Sequence, residues 1–227
     1  MKTVVKILLA ISIVVLAYMT IMSIRIPIQF ESERAAREAV IISQLIDIRR
    51  AQVEFRDQHG RFVTDLDSLV DFVRNGTINL VLREGALNEA QLEAGLTESR
   101  AAKIVASGNL AEIERYGLVG FRRDTTVVSV LSQLFPGRYT AETIDQMIII
   151  PFSDNQRFEM QVNNEFRNDI GIRIPLFQAR APFRAYLSDL NRQELLNLEF
   201  HTSELGRIPG LQVGDVHAPN NNAGNWE

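Results

Sequence analysis

Residues 2 to 59 read KTVVKILLAISIVVLAYMTIMSIRIPIQFESERAAREAVIISQLIDIRRAQVEFRDQH, and the fold turns on how this stretch divides. Ile7 to Ile24 is 18 residues without a charge, filled mainly by Ile, Leu and Val. At 1.5 Å per residue a helix of that length reaches the lower limit for crossing a hydrocarbon core of roughly 30 Å. Ile7, Leu8, Leu9, Ile13, Val14, Leu16, Ile21 and Ile24 are its expected membrane-anchoring side chains. The polar groups Ser12, Tyr18, Thr20 and Ser23 cost little, because a hydroxyl in a membrane helix bonds the carbonyl one turn back.

Charge sets the expected orientation. Lys2 and Lys6 precede the run with no acid among them, whereas Arg25, Glu31, Glu33, Arg34, Arg37 and Glu38 follow it with mixed sign. The positive-inside bias then places the N-terminus in the cytoplasm. The expected location is an inner membrane crossed once, with the C-terminal domain in the periplasm. A cleaved signal peptide shares the positive start and apolar run. This run is longer than an ordinary signal core, however, and Ser23-Ile24-Arg25-Ile26-Pro27 offers no A-x-A-like site, so an uncleaved anchor is expected.

Pro27 removes a helix donor and is expected to kink or interrupt the helix where it leaves the bilayer. Residues 28 to 38 then read as a polar, solvated stalk supported by the Glu33–Arg37 pair. From Val40 the pattern changes. Ile41, Leu45, Ile48, Ala51 and Phe55 recur at spacings of three and four, an apolar stripe expected to glue the helix to a globular domain. Gly60 is the expected stop. The expected division is therefore 1–27 cytoplasmic tip and anchor, 28–59 stalk and amphipathic helix, and 60–227 an α+β domain.

Within 60–227, Asp65 or Asp67 is expected to cap a short helix that ends at Asn75-Gly76, with a strand over 78–83. Residues 84 to 116 read as helical, broken at Gly95 and Gly108 and capped at Thr97, and form the expected insertion or interaction surface. Arg122-Arg123-Asp124 reads as an exposed charged turn. The β-branched runs 125–130 and 147–152 are expected strands. So are the alternations of Phe158, Met160, Val162 and of Ile170, Ile172, Ile174, joined by a hairpin through Asn163-Asn164-Glu165, with 176–179 extending the second strand. Residues 186 to 200 read as a connector or short helix, and the Asn/Gly-rich tail as irregular, with Trp226 available to dock.

Nothing in the chain announces catalysis. The absence of cysteine excludes a disulfide framework, thiolate metal sites and thiol catalysis. His59, His201 and His217 lie far apart and in no metal-ligand spacing. Asp65, Asp67 and Asp71 fit a helix N-terminus, without a D-x-D-x-D-G calcium loop. There is no G-x-S-x-G, phosphate loop or dinucleotide glycine pattern. A net charge of −4 with no basic stripe argues against nucleic acid. No catalytic, cofactor-binding or metal residue is assigned, and no cofactor is expected.

One phrase does carry a resemblance. Ile48-Arg49-Arg50-Ala51-Gln52 through Phe55, then His59-Gly60-Arg61-Phe62, then Asp65-Leu66-Asp67-Ser68-Leu69 resembles bacterial type IV pilins and type II secretion pseudopilins. In that pattern a long N-terminal helix ends in such a phrase and leads into a short helix. The resemblance covers roughly residues 40 to 73. It implies a helix glued to an antiparallel sheet, with Gly60 permitting the reversal and Phe62 packing back on the helix. The chain departs from the pattern at its start: no glycine precedes Ile7 and no glutamate lies between Ile7 and Ile24. What is implied is thus a pilin-like protein that keeps its anchor. The whole chain is also similar to single-pass envelope proteins of Bacteroidota.

The fold expected is α+β: one long N-terminal helix, membrane-embedded and then amphipathic, packed on an antiparallel sheet of roughly four strands. The function expected is a non-enzymatic structural or assembly subunit of an envelope machine. Its expected partners are the membrane and other envelope proteins or copies of itself, met through span and stalk. An anchored periplasmic ligand-binding or sensory module is the alternative.

Overall fold

The structure, a computed structural model, describes residues 2–227. The chain is α+β. Helix α1 (Lys2–His59) leads to α2 (Leu66–Asn75) and strand β1 (Thr77–Glu84). Three short helices follow, α3 (Glu89–Glu93), α4 (Glu98–Ala106) and α5 (Leu110–Arg115), then β2 (Arg122–Ser129) and α6 (Val130–Leu134). A 3₁₀ turn (Ile144–Ile148) precedes β3 (Glu159–Asn163), β4 (Leu176–Pro182), α7 (Phe183–Leu187), α8 (Arg192–Glu204) and β5 (Gly210–Gly214). Two compact units divide these elements. The first comprises residues up to Phe72 and from Thr140 onward; the second, Val73–Tyr139, is inserted between its halves in the chain. The stretch 60–227 is thus shared between the two.

In the first unit α1 is one unbroken helix of 58 residues. It passes through Pro27 without interruption, contrary to a break at that residue. Its first part is apolar and long enough to span a membrane, and its most apolar window has no buried residue. Its second part is core: Ile41, Leu45, Ile48 and Ala51 have no exposed surface. The helix stops where Gly60 takes a left-handed φ of 71° and its N–H donates to Arg56 O at 2.7 Å, a conformation that costs glycine little. Residues Asp65 to Ser68 then start α2, with Asp65 Oδ1 accepting the Ser68 N–H at 2.8 Å.

The sheet of this unit has three antiparallel strands in the order β3-β4-β5. Asn163 lies opposite Leu176 and Gln178 opposite Gly214. α1 packs on β4 and β5, and the central strand β4 is buried from Leu176 to Ala179 and again at Ala181. Gly214 permits this pairing: its φ is 73°, and a side chain there would collide with the Phe177 carbonyl. The C-terminal tail pads the outer side of β5. Gly224 bridges Val213, Asn225 Nδ2 donates to Gly210 O at 2.9 Å, and Gly224 lies against the Trp226 ring with no room for a methyl group. The tail reads as irregular from its composition, yet it is fixed.

Several expectations are corrected here. The strands form two sheets rather than one of about four. The run 147–152 is not a strand: Ile144, Met147 and Ile148 point inward from a 3₁₀ turn, so burial rather than pairing explains the β-branched residues. Ile170, Ile172 and Ile174 lie in the β3–β4 loop. There Asn168 Oδ1 accepts the Ile172 N–H at 2.8 Å, Gly171 turns with φ 79°, and Ile170 and Ile172 are exposed. Residues 28–38 are not a free stalk, because Phe30 is buried.

The second unit is built on a β1–β2 antiparallel ribbon, with Thr77 opposite Ser129 and Glu84 opposite Arg122. Arg122-Arg123-Asp124 is therefore backbone of a strand, not a turn. α3, α4 and α5 each start at a capping side chain, Asn88, Thr97 and Asn109, which satisfies N–H groups that such short helices cannot pair internally. Their core is Leu96, Ala101, Leu118 and Phe121, with Ile104, Val105 and Ile113 against it.

Candidate functional site

The reversal after α1 is built from two side-chain amides. Gln52, fully buried on α1, donates from Nε2 to Val63 O at 2.9 Å and accepts from Val63 N–H at 3.1 Å. Asn164, in the β3–β4 loop, does the same to the preceding residue: it accepts from Phe62 N–H and donates to Phe62 O, each at 2.9 Å. Phe62 and Val63 are buried outside any strand. Their backbone groups would be costly without partners, and the two amides stand in for a neighbouring strand. Phe62 then packs its ring 4.8 Å from that of Phe177 on β4.

The predicted packing residues fall into two groups. Ile41, Leu45, Ile48, Ala51 and Phe62 are buried, whereas Phe55 is half-buried. Its ring stacks on His59 at 4.2 Å and meets Phe72 edge-on at 5.0 Å. The residues expected to anchor the chain, Ile7, Leu8, Leu9, Ile13, Val14, Leu16, Ile21 and Ile24, are all exposed along the first part of α1.

A collar of packed and ion-paired side chains lies just beyond that apolar run. Phe30 is 7% exposed and sits between two grooves. One, about 380 Å³, is lined by Ile26, Gln29, Glu33 and Arg37 of α1 with Leu190 and Asn191. The other, about 510 Å³, lies between Pro27, Ile28 and Arg34 of α1 and Glu194, Leu198 and His201 of α8. Arg37 ties the collar together. Its guanidinium donates to Tyr186 O at 2.6 Å, forms a two-pronged pair with Asp189 at 2.6 and 2.7 Å, and lies 5.2 Å from the Phe152 ring. That hydrogen-bonded pairing holds the Asp189 carboxyl below its ordinary range and raises Arg37.

At the next residue, Glu38 accepts from the Tyr186 hydroxyl at 3.2 Å and lies 3.4 Å from Arg34 Nε. Burial pushes the Glu38 carboxyl up from its usual value, outweighing Arg34, and burial likewise raises the Tyr186 phenol. The tail adds a further brace, Arg49 donating to Glu227 at 2.7 Å and to Asn222 O at 3.1 Å.

This arrangement holds α1 in a fixed relation to the rest of its unit. Among the described residues no group of three or more His, Asp or Glu is placed to hold a metal ion. His59 is stacked, His201 lines a groove, and His217 N–H donates to Asp215. Asp67 pairs with Arg157, one prong at 3.1 Å. The collar residues Phe30, Arg37, Tyr186 and Asp189 were not legible as a group, because some 150 residues separate the two sides. Gln52 was visible in the quoted phrase, without a role. No family model, no curated protein and no solved structure matches the chain.

Proposed function

We propose that the chain is a non-enzymatic structural or assembly subunit of a bacterial envelope machine, of the secretion or pilus-like kind. In this reading α1 anchors it in the inner membrane with the N-terminus cytoplasmic and both compact units periplasmic. It meets other envelope proteins, or copies of itself, through the span. The observation that supports the reading is α1 itself. One continuous helix is apolar and uncovered in its first part and forms the core of its unit in its second. Uncovered apolar surface on that scale calls for lipid or partner helices. The pilin-like phrase at residues 48–69 supports the same reading through its packing. Gln52, Phe62 and Gly60 perform the reversal that the phrase implies.

The test is isolation of the intact protein from its native membrane in mild detergent, with mass spectrometry of whatever accompanies it. Several envelope proteins, or a stable homo-oligomer, should co-purify. A monodisperse monomer without partners would count against an assembly subunit. Recovery from the soluble fraction would count against the anchor.

A further inference from the structure

We propose that α8 lies on the bilayer surface and seats Leu196 and Phe200 in the interfacial layer of the membrane that α1 crosses. The proposal rests on the membrane-anchor reading and adds a second membrane contact to it. Arg25 is the first charge after the apolar run, so it marks where α1 leaves the hydrocarbon. Pro27 to Glu31 follow by two to six residues, about 3–9 Å along a helix rising 1.5 Å per residue. The headgroup layer on one side of a bilayer is roughly 5–7 Å deep, so Pro27, Ile28 and Gln29 sit within it and Phe30 and Glu31 at its outer edge. α8 is packed at that level: its Glu194, Asn197, Leu198 and His201 line one groove with Pro27, Ile28, Phe30 and Glu31.

The exposure pattern of α8 fits this position. Leu195 is buried toward the core, whereas Leu196 and Phe200, four residues apart on one face, are 41% and 65% exposed. Leu205, just past the helix, is also exposed. On α1, Ile24 and Ile28 are 60% and 64% exposed, and Ile28 lines the groove shared with α8. Exposed apolar surface is therefore present both on the span and on α8. Facing water it would be costly. At the acyl–headgroup boundary this surface leaves water, with Phe200 as an aromatic at the headgroup level. The net charge of α8 is acidic, from Glu194, Glu199 and Glu204 against Arg192. The contact is accordingly one of apolar insertion, not attraction to anionic lipid.

The cysteine-free sequence allows single nitroxide labels in the full-length chain. Leu16→Cys, Asp57→Cys, Leu196→Cys and Phe200→Cys would each be labelled and reconstituted in vesicles of phosphatidylethanolamine and phosphatidylglycerol. Collision with oxygen, which concentrates in lipid, is then compared with collision with a water-soluble nickel chelate. Position 16 is the hydrocarbon reference and position 57, at the far end of α1, the aqueous one. The expected result is an oxygen-to-nickel ratio at 196 and 200 several-fold above that at 57, with 16 higher still. Position 16 in lipid with 196 and 200 matching 57 overturns the proposal and leaves the anchor standing. Labels at 196 and 200 shielded from both reagents overturn it in favour of a protein cover. Position 16 matching 57 overturns the anchor reading and this proposal with it.

Discussion

Gln52 satisfies both backbone groups of Val63 from inside a helix, in a position with no exposed surface. Gln52→Leu keeps the volume and removes both bonds, leaving a buried N–H and C=O without partners. Loss of about 2–4 kcal/mol of stability is expected, measured by urea unfolding; a change within error would mean that the clamp is dispensable. Glu38 acts in the opposite sense. Burial raises its folded pKa above the ordinary 4.5, so the folded state holds the proton more tightly than the unfolded one. Its contribution is therefore favourable at low pH and is lost as pH rises from the unfolded value through the folded one. Glu38→Gln removes this dependence. Its stability relative to the parent should be higher at about pH 7 than at about pH 4. An equal difference at both pH values would rule out a raised Glu38.

At the scale of elements, the stripe on α1 and the stop at Gly60 were legible because both are local: a 3.6-residue period and a left-handed turn. β5 was not, since Gly210-Leu211-Gln212-Val213-Gly214 is short, flanked by glycines, and defined by pairing with β4 some thirty residues earlier. The Ile170–Ile174 alternation misled for the converse reason, as Asn168 and Gly171 close a loop that an alternating pattern does not reveal. The collar escaped because Phe30 is a single aromatic among charges, and its partners come from the C-terminal third. The tail offers a clean test of an element built without periodicity. Gly224→Ala places a methyl group into the Trp226 ring. Since Trp226 is the only tryptophan, the expected outcome is a red-shifted emission at full folding. An unchanged spectrum would mean that the tail is not held there.

For the molecule as a whole, the buried core of the first unit reaches back along α1 to Phe30, and removal of the N-terminal part should show a sharp limit. A chain starting at Ile28 keeps Phe30, Arg37 and Glu38 and should melt within a few degrees of the full chain. One starting at Val40 loses Phe30 packing and the Arg37 contacts with Tyr186 and Asp189. It should melt lower by about 5 °C or more, the shift that roughly 2 kcal/mol produces in a unit of this size. Equal melting of the two would place the collar outside the stability of the unit. The unbroken passage of α1 through Pro27 has a mechanical consequence. A pull on the apolar first part of α1 meets no break in the helix before Phe30, so load passes along it into the buried Ile41, Leu45 and Ile48 and into the packing of α1 on β4 and β5. Such a joint transmits displacement across the collar instead of absorbing it, as a strut does and a tether does not.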